Sequence, residues 1–282
     1  MKDYFFTLGG KYFWEDLFVY EGWRIQRNLT SRKVRLLDNW DIIRHEGNYK
    51  ECFDAFTWYA KAFELDYPQN KDLIIMLHGF GQNRKIFSSL EQTLNNRGYI
   101  TAAVNYPSMQ RGIKEQAEQI TTLIGNLKEI PSVSFITYGA SNIILEEIIS
   151  RQPTWLKNIE INKIIEINPL INGSKICQKL NSFSILRFIL GKMISDLAPN
   201  NIKKFHHLIP LDVKVISTKS SWLQKLISLL LVVKCPKHSI EEIKTWCNAK
   251  SVRTLPITSN RALQSASIND AVIYFLSENK SH

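Results

Sequence analysis

The 282-residue sequence lacks a long hydrophobic run. Its longest apolar stretch, LISLLLVV at 226–233, has eight residues, whereas a membrane-spanning helix needs about 20. The first residues also lack the succession of basic, apolar and small residues that marks a secretory leader, because Glu15 and Asp16 follow soon after. We therefore expect neither an anchor nor a signal peptide, and a cytoplasmic location.

Motifs for metal, redox and nucleotide chemistry are missing as well. The sequence has no H-E-x-x-H, no Cys/His cluster, no phosphate-binding G-x-x-x-x-G-K-[ST] and no G-x-G-x-x-G. We therefore predict no metal site and no cofactor. No two cysteines form a C-x-x-C pair, which predicts buried free thiols at Cys52, Cys177, Cys235 and Cys247.

Charge is abundant but not patterned. The 36 basic and 26 acidic side chains give a net charge of +10, yet no block of five or six like charges occurs. A generally basic, solvated surface is the simplest interpretation. We expect no nucleic-acid partner, whereas a weak contact with an anionic membrane surface remains open.

What the sequence does contain, from Leu73 onward, is an alternation of apolar runs and helical patterns. Such an alternation predicts a parallel sheet with helices on both faces, that is, an α/β protein. Ligands bind such sheets at the carboxyl ends of the strands. The predicted strands are 73–79, 99–107, 133–137, 162–169, 212–218 and 251–258. The predicted helices include 113–127, a helix that follows the third of these strands and ends at about 150, and a closing helix at 268–279.

Residues 1–70 stand apart from this alternation. They hold four of the seven tryptophans and show no clear strand alternation, so we predict an N-terminal extension packed on an α/β domain at 71–282. Two stretches, 171–211 and 219–250, interrupt the alternation inside that domain. Either is a candidate cap over the carboxyl edge, although a helix packed in the core is the favoured interpretation of each.

Three short motifs carry a resemblance to a known family. MLHGFG at 76–81, VNYPS at 104–108 and FITYGASN at 135–142, in this order among the elements, resemble the α/β-hydrolase family and within it the bacterial lipases and esterases. The resemblance covers residues 73–276. It implies the α/β-hydrolase fold and an oxyanion hole at His78, Gly79 and the amides of Phe80 and Ala140. The alternative is that His78 and Gly79 merely end a strand.

The same resemblance places the nucleophile at a strand-to-helix turn. In an ungapped register, Tyr138 takes the position before the nucleophile, Gly139 the nucleophile position and Ala140 the position after it. The nucleophile is then a glycine, which has no oxygen. A register shifted by two makes Ser141 the nucleophile. The family motif G-x-S-x-G then places β-branched Ile143 at the position of its second glycine.

The base and the acid are also missing from their implied positions. The loop at 257–267 has no histidine, and Ser259 and Asn260 occupy the implied base position. The resemblance implies the acid in KCPKHSIEEI at 234–243, where we interpret the two adjacent carboxylates as a solvated helix start. Surface roles are expected for these carboxylates and for the histidines outside the motifs: Glu241, Glu242, His206, His207 and His238.

Three functional hypotheses follow. The leading one is a non-catalytic relative of serine esterases that retains a site for a small ligand, a lipid or a protein. The first alternative is an acyl-ester hydrolase that uses Ser141 with a histidine from an unusual position. The second is a peripheral membrane protein that uses the basic surface and the apolar segments near 183–194 and 222–233.

Overall fold

The computed structural model describes residues 13–65, 72–127, 130–184, 191–202, 211–219 and 238–278. Over these ranges the chain forms a four-stranded antiparallel sheet, here called the N-terminal sheet, and a six-stranded parallel sheet. The two sheets share one hydrophobic cluster. Phe18 and Ile25 of the N-terminal sheet belong to it together with Ile75 and Ile120 of the region that follows.

The strands of the parallel sheet are β5 (Leu73–Leu77), β6 (Ile100–Val104), β7 (Ser132–Tyr138), β8 (Glu160–Ile167), β9 (Val213–Lys219) and β10 (Ser251–Thr258). Their order in the sheet is β10-β9-β8-β7-β5-β6, and all neighbouring strands run parallel. The predicted parallel sheet is confirmed, with strand ends within two or three residues of the predicted ones.

The strand β5 shows why continuous apolar runs form this sheet. All five of its residues are buried; Ile75 and Leu77 face one hydrophobic cluster, and Ile74 and Met76 face the other. A strand covered on both faces has no solvent side, so every position is apolar. Four of the described helices cover the sheet: α2 (Ser88–Asn95), α3 (Ile113–Gly125), α4 (Ser141–Ser150) and α8 (Ala266–Ser277). The first cluster includes residues of α3 and α4, and the second includes residues of α2 and α8.

The N-terminal sheet was not predicted: residues 1–70 show no clear strand alternation in the sequence, yet part of them forms four strands. Its strands follow the order β1-β2-β3-β4, with every neighbouring pair antiparallel. A helix follows the last strand and packs on the sheet with Cys52 and Phe56 buried. The elements are β1 (Trp14–Tyr20), β2 (Trp23–Asn28), β3 (Val34–Leu37), β4 (Ile43–Gly47) and α1 (Tyr49–Ala62).

A buried polar network attaches the N-terminal sheet to the end of β6. The Asp16 carboxylate accepts hydrogen bonds from Arg24 Nη1 at 2.8 Å, from Gln26 Nε2 at 2.8 Å and from the Asn105 N–H at 2.7 Å. Asp16 and Arg24 are almost completely inaccessible to solvent. Pattern rules assign charged residues such as Asp16 and Arg24 to the solvent face. Because these residues are buried here, the pattern does not indicate the strands that contain them.

In the stretches that interrupt the alternation, the described residues form three short helices: α5 (Lys175–Asn181), α6 (Met193–Asp196) and α7 (Ile240–Trp246). Met193 and Ile194 are buried in the core, whereas 185–190, 203–210 and 220–237, and with them the apolar segment 222–233, lie outside the described residues. The predicted buried free thiols are confirmed for the three described cysteines; Cys235 lies outside. Among the helices of the described ranges, none is both long and apolar enough to span a bilayer.

Candidate active site at the strand-to-helix turn

The turn between β7 and α4 has a glycine at its apex. Gly139 has φ +61°, in the left-handed region that glycine adopts without a steric penalty. Its N–H donates to the Ile167 carbonyl at 3.0 Å, which ties the turn to β8. A Cβ at this position would meet no atom nearer than the Gly79 Cα at 3.9 Å. The apex therefore combines a left-handed backbone with open space, but it carries no side chain.

Ser141, two residues further on, is completely buried at the start of α4. Its hydroxyl donates to the Leu77 carbonyl at 2.7 Å and accepts from the Tyr138 N–H at 2.9 Å. The hydroxyl thus joins the end of β5 to the end of β7. No histidine of the described ranges hydrogen-bonds it.

His78, directly after β5, is also completely buried. Its Nε2 lies 3.5 Å from the Tyr106 nitrogen and its Nδ1 lies 3.0 Å from the Gly79 carbonyl oxygen. Since an N–H only donates, Nε2 is the acceptor and Nδ1 carries the proton. The ring stacks on Tyr106 at 4.0 Å between centroids. Burial lowers the pKa of His78 to about 4, so the imidazole is neutral at pH 7.

The loop after β5 presses against the turn. An added Cβ on Gly79 would lie 2.9 Å from the Tyr138 carbonyl oxygen, and the Gly79 N–H donates to Gln82 Oε1 at 3.0 Å. By contrast, the N–H groups of Phe80 and Ala140, the two amides that the family resemblance implies for an oxyanion hole, donate to no acceptor among the described residues.

The loop that follows β10 also reaches the turn. The Tyr138 hydroxyl donates to the Ser259 carbonyl at 2.6 Å, and burial raises the pKa of this phenol, against an opposing hydrogen bond with Asn168. Asn168 Oδ1 in turn accepts from the Thr218 N–H at 2.7 Å. The implied base position is therefore next to the turn, where a phenol and an amide are the groups in contact. The Asn260 side chain is not among those described.

The remaining candidate residues do not meet at this site. His238 Nδ1 lies 3.6 Å from Glu242 Oε2, beside the first turn of α7. Ser239 and Glu242 form a capping box there, and Glu241 is exposed, which confirms the predicted solvated helix start. His206 and His207 lie outside the described residues. Within those residues, no three His, Cys, Asp or Glu side chains are placed to hold a metal.

Sequence analysis missed three residues that shape the site: Gln82, Tyr106 and Asn168. Asn168 had a signal, because an Asn-Pro step directly after a strand marks a turn, and its φ of +50° is one that asparagine tolerates. Gln82 accepts one hydrogen bond from the Gly79 N–H, and Tyr106 donates two to His78, one from its N–H and one from its hydroxyl. A pattern of residue types does not reveal such contacts.

Comparisons with known proteins bear on the fold. No family model and no curated protein matches the chain. Among solved structures, the mature lipase BlEst2 of Bacillus licheniformis is 12% identical, with 74% of this chain and 92% of that chain covered and a TM-score of 0.56. RedJ, with a polyethylene glycol molecule bound in its active site, is 11% identical, with 76% and 96% covered and a TM-score of 0.52. At such identities the likeness concerns the backbone alone, and the chain has the α/β-hydrolase fold.

Proposed function

We propose that this protein is a non-catalytic member of the α/β-hydrolase fold, which retains a site for a small ligand, a lipid or a partner protein. The observation that carries the proposal is Gly139 at the apex of the turn, with a left-handed backbone and open space around its Cα. A nucleophile at this apex would need a side-chain oxygen, and glycine has none. The cytoplasmic location remains a prediction from the sequence.

The burial of Ser141 argues against the alternative, an ester hydrolase. The hydroxyl is inaccessible and is engaged by Leu77 and by the Tyr138 N–H. To attack a substrate it would have to give up these bonds and leave two backbone groups unpaired in the interior, at a cost of about 1 to 3 kcal/mol each. Its position indicates a structural role that links β5 to β7.

The proton acceptor is a second difficulty for hydrolysis. A serine hydroxyl is a weak nucleophile until a positioned base removes its proton. His78 uses both ring nitrogens for backbone groups, and His238 lies at the start of α7 with no hydrogen bond to Ser141. Loss of the nucleophile or base of a triad lowers kcat by about 10⁶. Hydrolysis is therefore expected to be about a million-fold slower than with an intact triad.

The test compares wild-type protein with two variants, Ser141→Ala and Gly139→Ser. A fluorophosphonate probe, followed by mass spectrometry of the intact protein, detects any activated serine, and a short-chain ester measures turnover. We expect no adduct and no turnover from the wild type or from Ser141→Ala. The Ser141→Ala change is expected instead to lower the free energy of unfolding by about 2 to 6 kcal/mol, about 1 to 3 kcal/mol for each of the two backbone groups, the Leu77 carbonyl and the Tyr138 N–H, that lose their partner.

The variant Gly139→Ser tests whether the rest of the site is still competent. It restores an oxygen at the apex, and we expect it to remain unlabelled because no base is positioned. Wild-type turnover that disappears in Ser141→Ala, or a wild-type adduct on any serine, would refute the proposal. Labelling of Gly139→Ser alone would show that a base survives and that only the nucleophile has been lost.

A further inference from the structure

A cavity of about 290 Å³ opens between the N-terminal sheet and the loop that follows β5. None of the residues that form the Gly139 turn lines this cavity, so the two sites have different residues. Its volume is at the lower end of the range for small-molecule sites, about 300 to 1,000 Å³. A small organic molecule is therefore the size of ligand that it accommodates.

The charges that line the cavity are mainly positive. Three cationic side chains, Arg35, Arg84 and Lys85, face one carboxylate, that of Asp41, and the other lining residues are neutral. Asp41 pairs with Arg84 and lies 2.9 Å from Lys85 Nζ. At neutral pH the lining therefore has two positive charges in excess, three cations against one anion.

Arg35 is the cation without a counter-ion. Its guanidinium lies 3.6 Å above the Trp14 ring centroid, and its Nε and Nη2 donate to the neutral Gln26 Oε1 at 3.3 and 2.9 Å. Within the described ranges no carboxylate is at ion-pair distance from Arg35, and Nη1 has no acceptor. Burial lowers the pKa of Arg35 in spite of the attraction of Asp41. The structure thus holds an oriented, partly desolvated cation at a cavity wall.

We propose that this cavity binds a small organic anion with a phosphate or carboxylate group, which Arg35 and Arg84 contact. The planar guanidinium matches the oxygens of these groups and forms hydrogen bonds stronger than those between neutral groups. Trp14 and Leu37 supply an apolar wall for the body of the ligand. The inference does not depend on whether the Gly139 turn is inactive, because the two sites have different residues.

Phenyl phosphate is a suitable probe, with phenol as its uncharged counterpart and titration calorimetry of the full-length protein as the measurement. We expect saturable binding of phenyl phosphate, weaker binding of inorganic phosphate and none of phenol. The variant Arg35→Gln removes the unpaired cation and is expected to weaken binding by at least about tenfold. The variant Asp41→Asn removes the competing carboxylate, keeps a residue that tolerates the φ of +65°, and is expected to strengthen binding.

Lys33→Gln is the matched control, because it removes one positive charge from an exposed residue next to the same sheet and outside the cavity. We expect a change below about twofold. Anionic phosphatidylglycerol vesicles distinguish a lipid headgroup from a soluble ligand: sedimentation with vesicles that Arg35→Gln abolishes would assign a headgroup. The proposal would be overturned if neither phenyl phosphate nor the anionic vesicles bound saturably. It would also be overturned if Arg35→Gln and Lys33→Gln lost affinity equally. If Arg35→Gln folds poorly, Asp41→Asn still tests the proposal, because it is expected to raise the affinity for phenyl phosphate, and an unchanged or lower affinity would contradict the proposal.

Discussion

Two glycines that face each other across the turn should respond differently to the same substitution. Gly139 and Gly79 approach within 3.9 Å, measured from an ideal Cβ on the first to the Cα of the second. Each is replaced by alanine in turn. Gly139→Ala changes a residue with left-handed backbone and free space, whereas Gly79→Ala changes a residue outside the left-handed region that has no free space.

The expected magnitudes follow from these surroundings. At Gly139 the left-handed conformation costs alanine about 1 to 2 kcal/mol, and the smaller entropy of the unfolded chain offsets about 0.4 to 1 kcal/mol of this. A net loss near 1 kcal/mol is expected. At Gly79 the new Cβ would lie 2.9 Å from the Tyr138 carbonyl oxygen and from Gln82 Oε1. The Gln82 side chain can rotate away, but the carbonyl is backbone, so overpacking is expected to cost about 2 to 3 kcal/mol.

Urea unfolding at pH 7, followed by tryptophan fluorescence, measures both losses. The midpoint should fall further for Gly79→Ala, with an unchanged slope. Gly125→Ala is the control, because an added Cβ there meets no atom within 4 Å at the end of α3, and it should be neutral or stabilising. A loss above about 3 kcal/mol for Gly139→Ala, or the reverse order of the two variants, would show that the apex is not the open turn described.

Three further predictions concern the surroundings of the turn. Tyr138→Phe removes the hydrogen bond to the Ser259 carbonyl, and we expect a loss of about 1 kcal/mol with faster amide exchange at 259–264. Asp16→Ala leaves the buried Arg24 charge unpaired, so unfolding in urea should show a loss of about 3 to 5 kcal/mol. Burial lowers the pKa of His78 from its ordinary value of 6.5 to about 4, so the unfolded chain takes up the proton at a higher pH than the folded chain does. The free energy of unfolding is therefore unaffected by this group above pH 6.5 and falls by about 3 kcal/mol as the pH is lowered from 6.5 to 4. The His78 resonance in an NMR titration should accordingly not move between pH 7 and 5.5.

The parallel sheet was predictable because the residues of a single strand already show that the strand is buried on both faces. A strand buried on both faces must be apolar throughout, and LIIML at 73–77 shows this without any alignment. The family resemblance then supplied the position of the turn, and the left-handed φ lies at the residue that the ungapped register assigned to the nucleophile, Gly139.

The N-terminal sheet was not predictable from the same rules. Its first strand, WEDLFVY, buries Glu15 and Asp16 completely, and pattern rules assign such residues to the solvent. The side chains become buried only because their partners arrive from distant positions: Arg111 pairs with Glu15 at 2.5 Å, and the Asn105 N–H donates to Asp16. Contacts across some 90 residues are a property of the assembled fold, and a local pattern does not contain them.

Backbone geometry and chemistry are separable at this turn. The close approach of β5 and β7 leaves the Leu77 carbonyl and the Tyr138 N–H in a buried place where each needs a partner, and Ser141 provides both. That requirement concerns the folded state alone and holds with or without a reaction. At the apex the requirement is only a positive φ, which glycine meets with about 1 to 2 kcal/mol less strain than serine. A non-catalytic chain of the kind proposed above would therefore gain stability from glycine at position 139 and from serine at position 141, and both residues are present in this sequence.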